Sequence, residues 1–181
     1  MAEVKAASVC YLKQKIRDLG TNVEGDFLKG LPPQTAQQYL TALPLSWVPI
    51  EAAATIYKNG APVAFPGNPL AIRQLGHETA TTSYTGIYRM LLRVATIPFI
   101  LERAARLWRN HHTDGDITTE MGDDHSAMVT VTNYPDLLEP VRELVAGYLT
   151  GLCILTGSKA PRVKRDDRPP TWRWIVTWND R

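Results

Sequence analysis

The sequence predicts a segregated α+β domain, helices first and a four-stranded antiparallel ββαββ unit last, and three observations carry that prediction. From Ser8 to Arg109, apolar residues recur at helical spacing between proline and glycine breaks. After Asp114-Gly115 the period falls from 3.6 to 2 over two short runs, and two further short runs close the chain. Between the two pairs lies one long apolar stripe, Leu138, Val141, Val145, Tyr148 and Leu152, that reads as a helix crossing the sheet. A chain of 181 residues with 44% hydrophobic content suits a single domain around one sizeable core, residues 1–110 forming the helical part and 111–181 the ββαββ part.

Leu12, Ile16 and Leu19 place a first helix over Ser8 to Leu19, and a second is expected from Thr21 to Lys29. Pro33 suits the first turn of a third helix reaching Thr41, where a missing N–H costs nothing. Ser46-Trp47-Val48-Pro49 reads as an extended entry, because the residue before a proline avoids the α region, into a helix over Ile50 to Lys58. Asn68 and Pro69 supply a cap and a first-turn proline for a helix carrying Leu70, Ile72 and Leu75. Ser83 can cap the next, with Ile87, Leu91 and Leu92 along one side.

The clearest helical pattern begins near Thr96, where Ile97, Ile100, Leu101, Ala104 and Trp108 share a face opposite Glu102, Arg103, Arg106 and Arg109. Ile117, Thr119 and Met121 then alternate with polar neighbours, and Ala127, Val129 and Val131 do so after the Gly122-Asp123-Asp124 turn, which makes a hairpin. The long helix spans Leu137 to Leu155 and stops at Gly157. Strands over Lys159 to Lys164 and Thr171 to Trp178 follow, the latter setting Trp172, Trp174, Val176 and Trp178 on one face.

Composition argues against several functions. Twenty Lys and Arg against eighteen Asp and Glu give a net charge of +2, without the basic excess of a dedicated nucleic-acid binder. Cys10 and Cys153 stand far apart with no second thiol beside either, so neither a disulfide framework nor a zinc knuckle is indicated, and a reducing cytoplasm is the expected location. Glu3 and Lys5 interrupt what would be a leader's apolar stretch, and no apolar run is long enough to span a bilayer.

No phosphate-binding glycine loop and no G-x-S-x-G, C-x-x-C or H-E-x-x-H string occurs. His111, His112, Asp114 and Asp116 lie near Asp123, Asp124 and His125 in sequence, but an intervening strand would separate the two ends by roughly 20 Å, too far for one ion. Neighbouring imidazoles at 111 and 112 point different ways, and the acidic turn reads as solvated loop. His77 or His111 would serve as acid or base only with a carboxylate or hydroxyl in reach within a cleft. Trp172, Trp174 and Trp178 can form core or an aromatic wall for a planar ligand, and the two readings overlap if a cavity lies between sheet and helices.

The run Tyr84 to Arg93 and the segment Phe99 to Arg109, with Leu31-Pro32-Pro33, Trp47-Val48-Pro49 and Leu75-Gly76, resemble a bacterial family numerous in myxobacteria, and the resemblance spans nearly the whole chain. That family is distantly similar to the haem-nitric-oxide-binding and 4-vinyl-reductase domains, which implies helices leading into an antiparallel ββαββ unit and a role in ligand sensing. The same resemblance marks what is missing. In the haem sensors a histidine on the helix before the first strand holds iron, and Leu101 to Trp108 contains none. Their Tyr-x-Ser-x-Arg propionate clamp is replaced by Thr132-Asn133-Tyr134-Pro135-Asp136, and Lys164 to Trp178 lacks the paired cysteines of the 4-vinyl-reductase relatives.

The expectation is therefore a non-enzymatic sensory or regulatory domain that binds an apolar or planar small molecule with no haem, metal or other cofactor. It is expected to form a homodimer and to serve a separate signalling protein, with neither nucleic acid nor membrane as a partner. Tyr84, Tyr88, Trp108, Tyr148, Trp172 and Trp174 are the candidate pocket residues. A protein-interaction module without a pocket is the alternative, and an unfamiliar enzyme or a nucleic-acid binder stands behind it.

Overall fold

A computed structural model describes residues 1–83, 90–92, 95–123 and 125–179. A short strand β1 (Glu3–Lys5) leads into α1 (Ala7–Asp18), α2 (Thr21–Lys29) and α3 (Pro33–Thr41). Strand β2 (Trp47–Pro49) returns antiparallel to β1, pairing Val4 with Val48, before α4 (Ile50–Ala64) and α5 (Ala71–Ser83). The next described helices are α6 (Ile97–Leu101) and α7 (Ala104–His111), then the hairpin β3 (Asp116–Met121) and β4 (Ser126–Thr132). Helix α8 (Glu139–Leu155) and strands β5 (Lys159–Arg165) and β6 (Trp172–Asn179) complete the chain.

The four long strands form one antiparallel sheet in the order β3-β4-β6-β5, the ββαββ unit expected from the change of period. Along β6 burial alternates, with Trp172, Trp174, Val176 and Trp178 all buried on one side. Val129 faces Trp174 across the β4–β6 ladder, so the apolar side of the sheet is continuous beneath α8. An ion-pair cluster ties this layer together at one end. Glu143 on α8 meets both Arg73 of α5 and Arg165 of β5, while Asp167 accepts from Arg142 at 3.1 Å and pairs with Arg165.

Two helices differ from the expected ones. Helix α4 runs on past Lys58 through Gly60 and Pro62 to Ala64. Gly60 is a packing residue rather than a stop, since a Cβ there would lie 2.8 Å from the Leu12 side chain of α1. The helix expected to run unbroken from Thr96 through Trp108 is two helices with a bend at Glu102 and Arg103. Thr96 caps the first, its hydroxyl accepting from the Phe99 N–H at 3.4 Å. At the bend the Arg103 guanidinium lies 3.5 Å over the Phe99 ring and donates to the Phe99 carbonyl at 2.9 Å, the acceptor an unbroken helix would have used for its own backbone. The helix expected after Ser83, with Ile87, lies largely outside the described residues.

Helices α5 and α8 pack backbone to backbone. A Cβ on Gly147 would sit 1.9 Å from the Arg73 carbonyl oxygen, and one on Gly76 would sit 2.1 Å from that of Leu144. Among the described residues no helix is long and apolar enough to cross a membrane.

Candidate functional site

Helix α7 begins at the Arg103 bend, so its inward face is Ala104, Leu107, Trp108 and His111, spaced by three and four residues. The Trp108 indole N–H donates to the Asp114 carbonyl at 2.8 Å, which pins the ring at the end of its helix. His112 stacks on that ring, centroids 3.7 Å apart and planes within 4°, and the Tyr134 ring meets both edge-on. A β-bridge joins His112 to Val4, and the Thr113 N–H donates to the Glu3 carbonyl at 3.1 Å. The N-terminal strand is thereby held against the end of α7.

These parts wall a cavity of about 100 Å³ where the first helices meet the sheet and α8. Ile100, Leu101, Ala104 and Trp108 close one side, Ser8, Tyr57 and Thr79 another, and Val129 and Ile117 the sheet side. Val141, Val145, Tyr148 and Leu152 of α8 complete it, four of the five members of the stripe read from the sequence. A second hollow of about 280 Å³ lies near His125 and Trp178, where hydroxyls of Thr96, Thr156 and Ser158 join the lining.

His111, His112 and Lys5 also reach the cavity wall. Burial pulls the His112 pKa down to about 3, with the neighbouring His111 adding to the shift. Burial lowers that of His111 too, assisted by the positive Lys5. Both imidazoles are therefore neutral near pH 7. Lys5 is engaged elsewhere: its Nζ donates to the Leu45 carbonyl at 2.8 Å and lies 3.8 Å over the Trp47 ring.

Of the residues expected to line a pocket, Trp108 and Tyr148 are on this wall. Trp172 and Trp174 are not. They are buried in the sheet beneath α8, their indole N–H groups donating to the Tyr134 carbonyl at 2.7 Å and the Arg142 carbonyl at 3.2 Å. Tyr84 and Tyr88 lie outside the described residues. The histidine expectation also changes in extent: Leu101 to Trp108 has none, but the helix continues to His111, which faces the cavity. His77 sits on α5 with both ring nitrogens buried and unpaired, and it does not line the cavity.

His111 and His125 stand in separate surroundings, the first 5.7 Å from the Tyr148 ring and the second 6.1 Å from that of Trp178. No group of three His, Cys, Asp or Glu side chains suited to a metal occurs among the described residues.

No family model matches the chain, and no curated protein is significantly similar to it. Solved structures do match across almost its full length. A mutant H-NOX protein from K. algicida, in its unliganded Fe(II) form, aligns with a TM-score of 0.69 over 97% of each chain at 8% identity. The fold is that of an H-NOX domain. An oxygen-binding H-NOX domain related to soluble guanylate cyclases, in its oxygen complex, gives 0.61 over 97% of this chain and 95% of its own at 11% identity. A structure from work on haem distortion in the H-NOX family gives 0.63 at 13% identity, over 97% of this chain and 94% of that one. On this H-NOX scaffold the cavity lies between the first helices and the ββαββ unit.

Proposed function

We propose that this chain is a non-enzymatic sensory domain that holds a small apolar molecule directly in the cavity, without haem. The observation that carries the reading is the apolar wall built by α6, α7 and the inner stripe of α8. A dry cavity of comparable size, about 150 Å³, is enough to take up benzene or xenon in a protein interior.

Haem is the group the H-NOX fold would suggest, and His111, on the cavity wall, is the side chain that would hold its iron. The rest of the wall does not fit it. Ligands of ordinary drug size already need roughly 300–1,000 Å³, against about 100 Å³ here. The stacked Trp108 and His112 rings fill the end of α7, and Lys5, the one Lys or Arg among the described lining residues, is held by Leu45 and Trp47. Among the described lining residues, propionates would find no clamp.

Native mass spectrometry beside the denatured mass, with an absorbance scan before and after haemin addition, tests the proposal. A small added mass with no Soret band is expected. A stoichiometric haem adduct with a Soret band would overturn it.

A second reading has its own observation. Leu43, Leu45 and Trp47 are exposed along one short stretch of chain, Leu45 to 83%, where a second copy or a signalling protein would cover them. Sedimentation of the Leu45→Glu variant checks it: a dimer that falls apart supports a homodimer through this face, and an unchanged sedimentation coefficient removes it.

A further inference from the structure

The four-stranded sheet carries helices on one side. Helices α7 and α8 lie against the side of Val129 and Trp174, and no described helix packs on the other. One row of side chains crosses all four strands on that outer side. Glu120 of β3 is paired with Met128 of β4, Met128 with Ile175 of β6, and Ile175 with Lys164 of β5. Met128 and Ile175 are half-buried at the centre, while Glu120 and Lys164 are exposed at the two edges. The row therefore reads acid, apolar, apolar, base. A sheet face left to water is ordinarily polar throughout. Asp116 and Arg162, two or more residues further along the same edge strands and on the same side, keep the order of charge. Neither Glu120 nor Lys164 pairs with a charge of its own chain among the described residues.

The geometry points to this face as the contact between two copies of the chain, stacked sheet on sheet about a two-fold axis parallel to the strands and midway between β4 and β6. Such an axis carries each strand across the midline and keeps its level. Glu120 then lies over Lys164 of the second copy and Met128 over its Ile175, each contact made twice. Stacked sheets keep their strands within about 30° of each other, so the register along the row survives their twist. A two-fold axis across the strands would set β3 on β3 and β5 on β5, acid on acid and base on base, which is disfavoured. Opposite charges at the two ends of one row suit a second copy in the first orientation better than a partner of a single sign.

Four strands about 4.8 Å apart, with paired stretches about 20 Å long, give a footprint on the order of 400 Å² per copy. That is roughly half a standard interface, so the dimer is weak and reversible, in the size range of transient signalling contacts. The inference is independent of the cavity and of the Leu43 to Trp47 stretch, which leads into the other sheet.

Sedimentation velocity of the full chain from micromolar to millimolar concentration tests it. Wild type should pass from monomer to dimer, at higher concentration in high salt because both ion pairs are screened. Glu120→Lys alone or Lys164→Glu alone should weaken association at least tenfold, since each sets like charges against each other. Mixed in equal amounts, the two variants should pair with each other about as tightly as wild type, because opposite charges then meet at both contacts. Both positions are exposed, so the fold is kept. A wild type that stays monomeric throughout, or a mixture that fails to associate, overturns the proposal. A dimer indifferent to both reversals but lost in Leu45→Glu overturns it in favour of the Leu43 to Trp47 stretch.

Discussion

Helix α8 has two inner surfaces that solve opposite problems. Toward α5 it presents Gly147 and Gly151, and the helices approach until backbone touches backbone, with no space for one methyl group. Toward α7 and the first helices it presents Val141, Val145, Tyr148 and Leu152, and there the packing stops short and leaves a hollow. Interiors are normally filled to crystal-like density, so an unfilled region beside so tight a seam marks where stability has been given up. The seam fixes α8 in place, and the open side is free to accept something.

The largest effect that breaks this contrast is expected at the seam. Gly147→Ala places a Cβ 1.9 Å from the Arg73 carbonyl oxygen, a backbone atom that cannot swing aside. A loss of at least about 3 kcal/mol, or roughly 10 °C in Tm for a domain this size, is expected in a thermal melt. On the other surface, Ala104→Leu should fill the cavity. Toluene binding should disappear in calorimetry while Tm moves by less than about 4 °C, because filling existing space adds contacts without displacing backbone.

The cavity side should also be the acid-sensitive side. His112 titrates near 3 in the folded chain, below the ordinary imidazole value of 6.5, so the unfolded chain takes up the proton first. Its contribution to stability is whole above about pH 6.5 and is lost as pH falls toward 3, at about 1.4 kcal/mol per pH unit. His111, also lowered by burial, acts in the same direction. Denaturant melts from pH 7 to pH 4 should show a steeper decline for wild type than for His112→Phe.

The smallest effect should come from a glycine outside the seam. Gly25 lies within α2 with nothing within 4 Å of a Cβ, so Gly25→Ala should stabilise by about 0.5–1 kcal/mol. A loss there instead would mean that open space around a glycine does not predict its tolerance of a methyl group.

The fold was largely legible in the sequence because it is written in periodicity. The switch at Asp114-Gly115 marks the hairpin, and alternation along β6 separates its buried tryptophans from Arg173 and Thr177. Strand β1 left no such mark, being too short for any pattern; β2 and a bridge to His112 hold it. The bend at Arg103 was hidden because the apolar spacing from Ile97 to Trp108 is the same whether the helix is broken or whole. The α8 stripe signalled the helix and not the cavity, because core and cavity wall use the same residues. Aromatic character pointed to Trp172 and Trp174, which belong to the sheet's core, whereas Ile100, Ala104 and Val145 reach the hollow only through the way α7 and α8 meet.

Pressurising crystals of the protein with xenon tests the central claim most directly. The account predicts one strong xenon site lined by Ile100, Trp108 and Val145, abolished in Ala104→Leu. Density showing this space filled by side chains, with no xenon in it, would contradict a cavity built to hold a small apolar molecule.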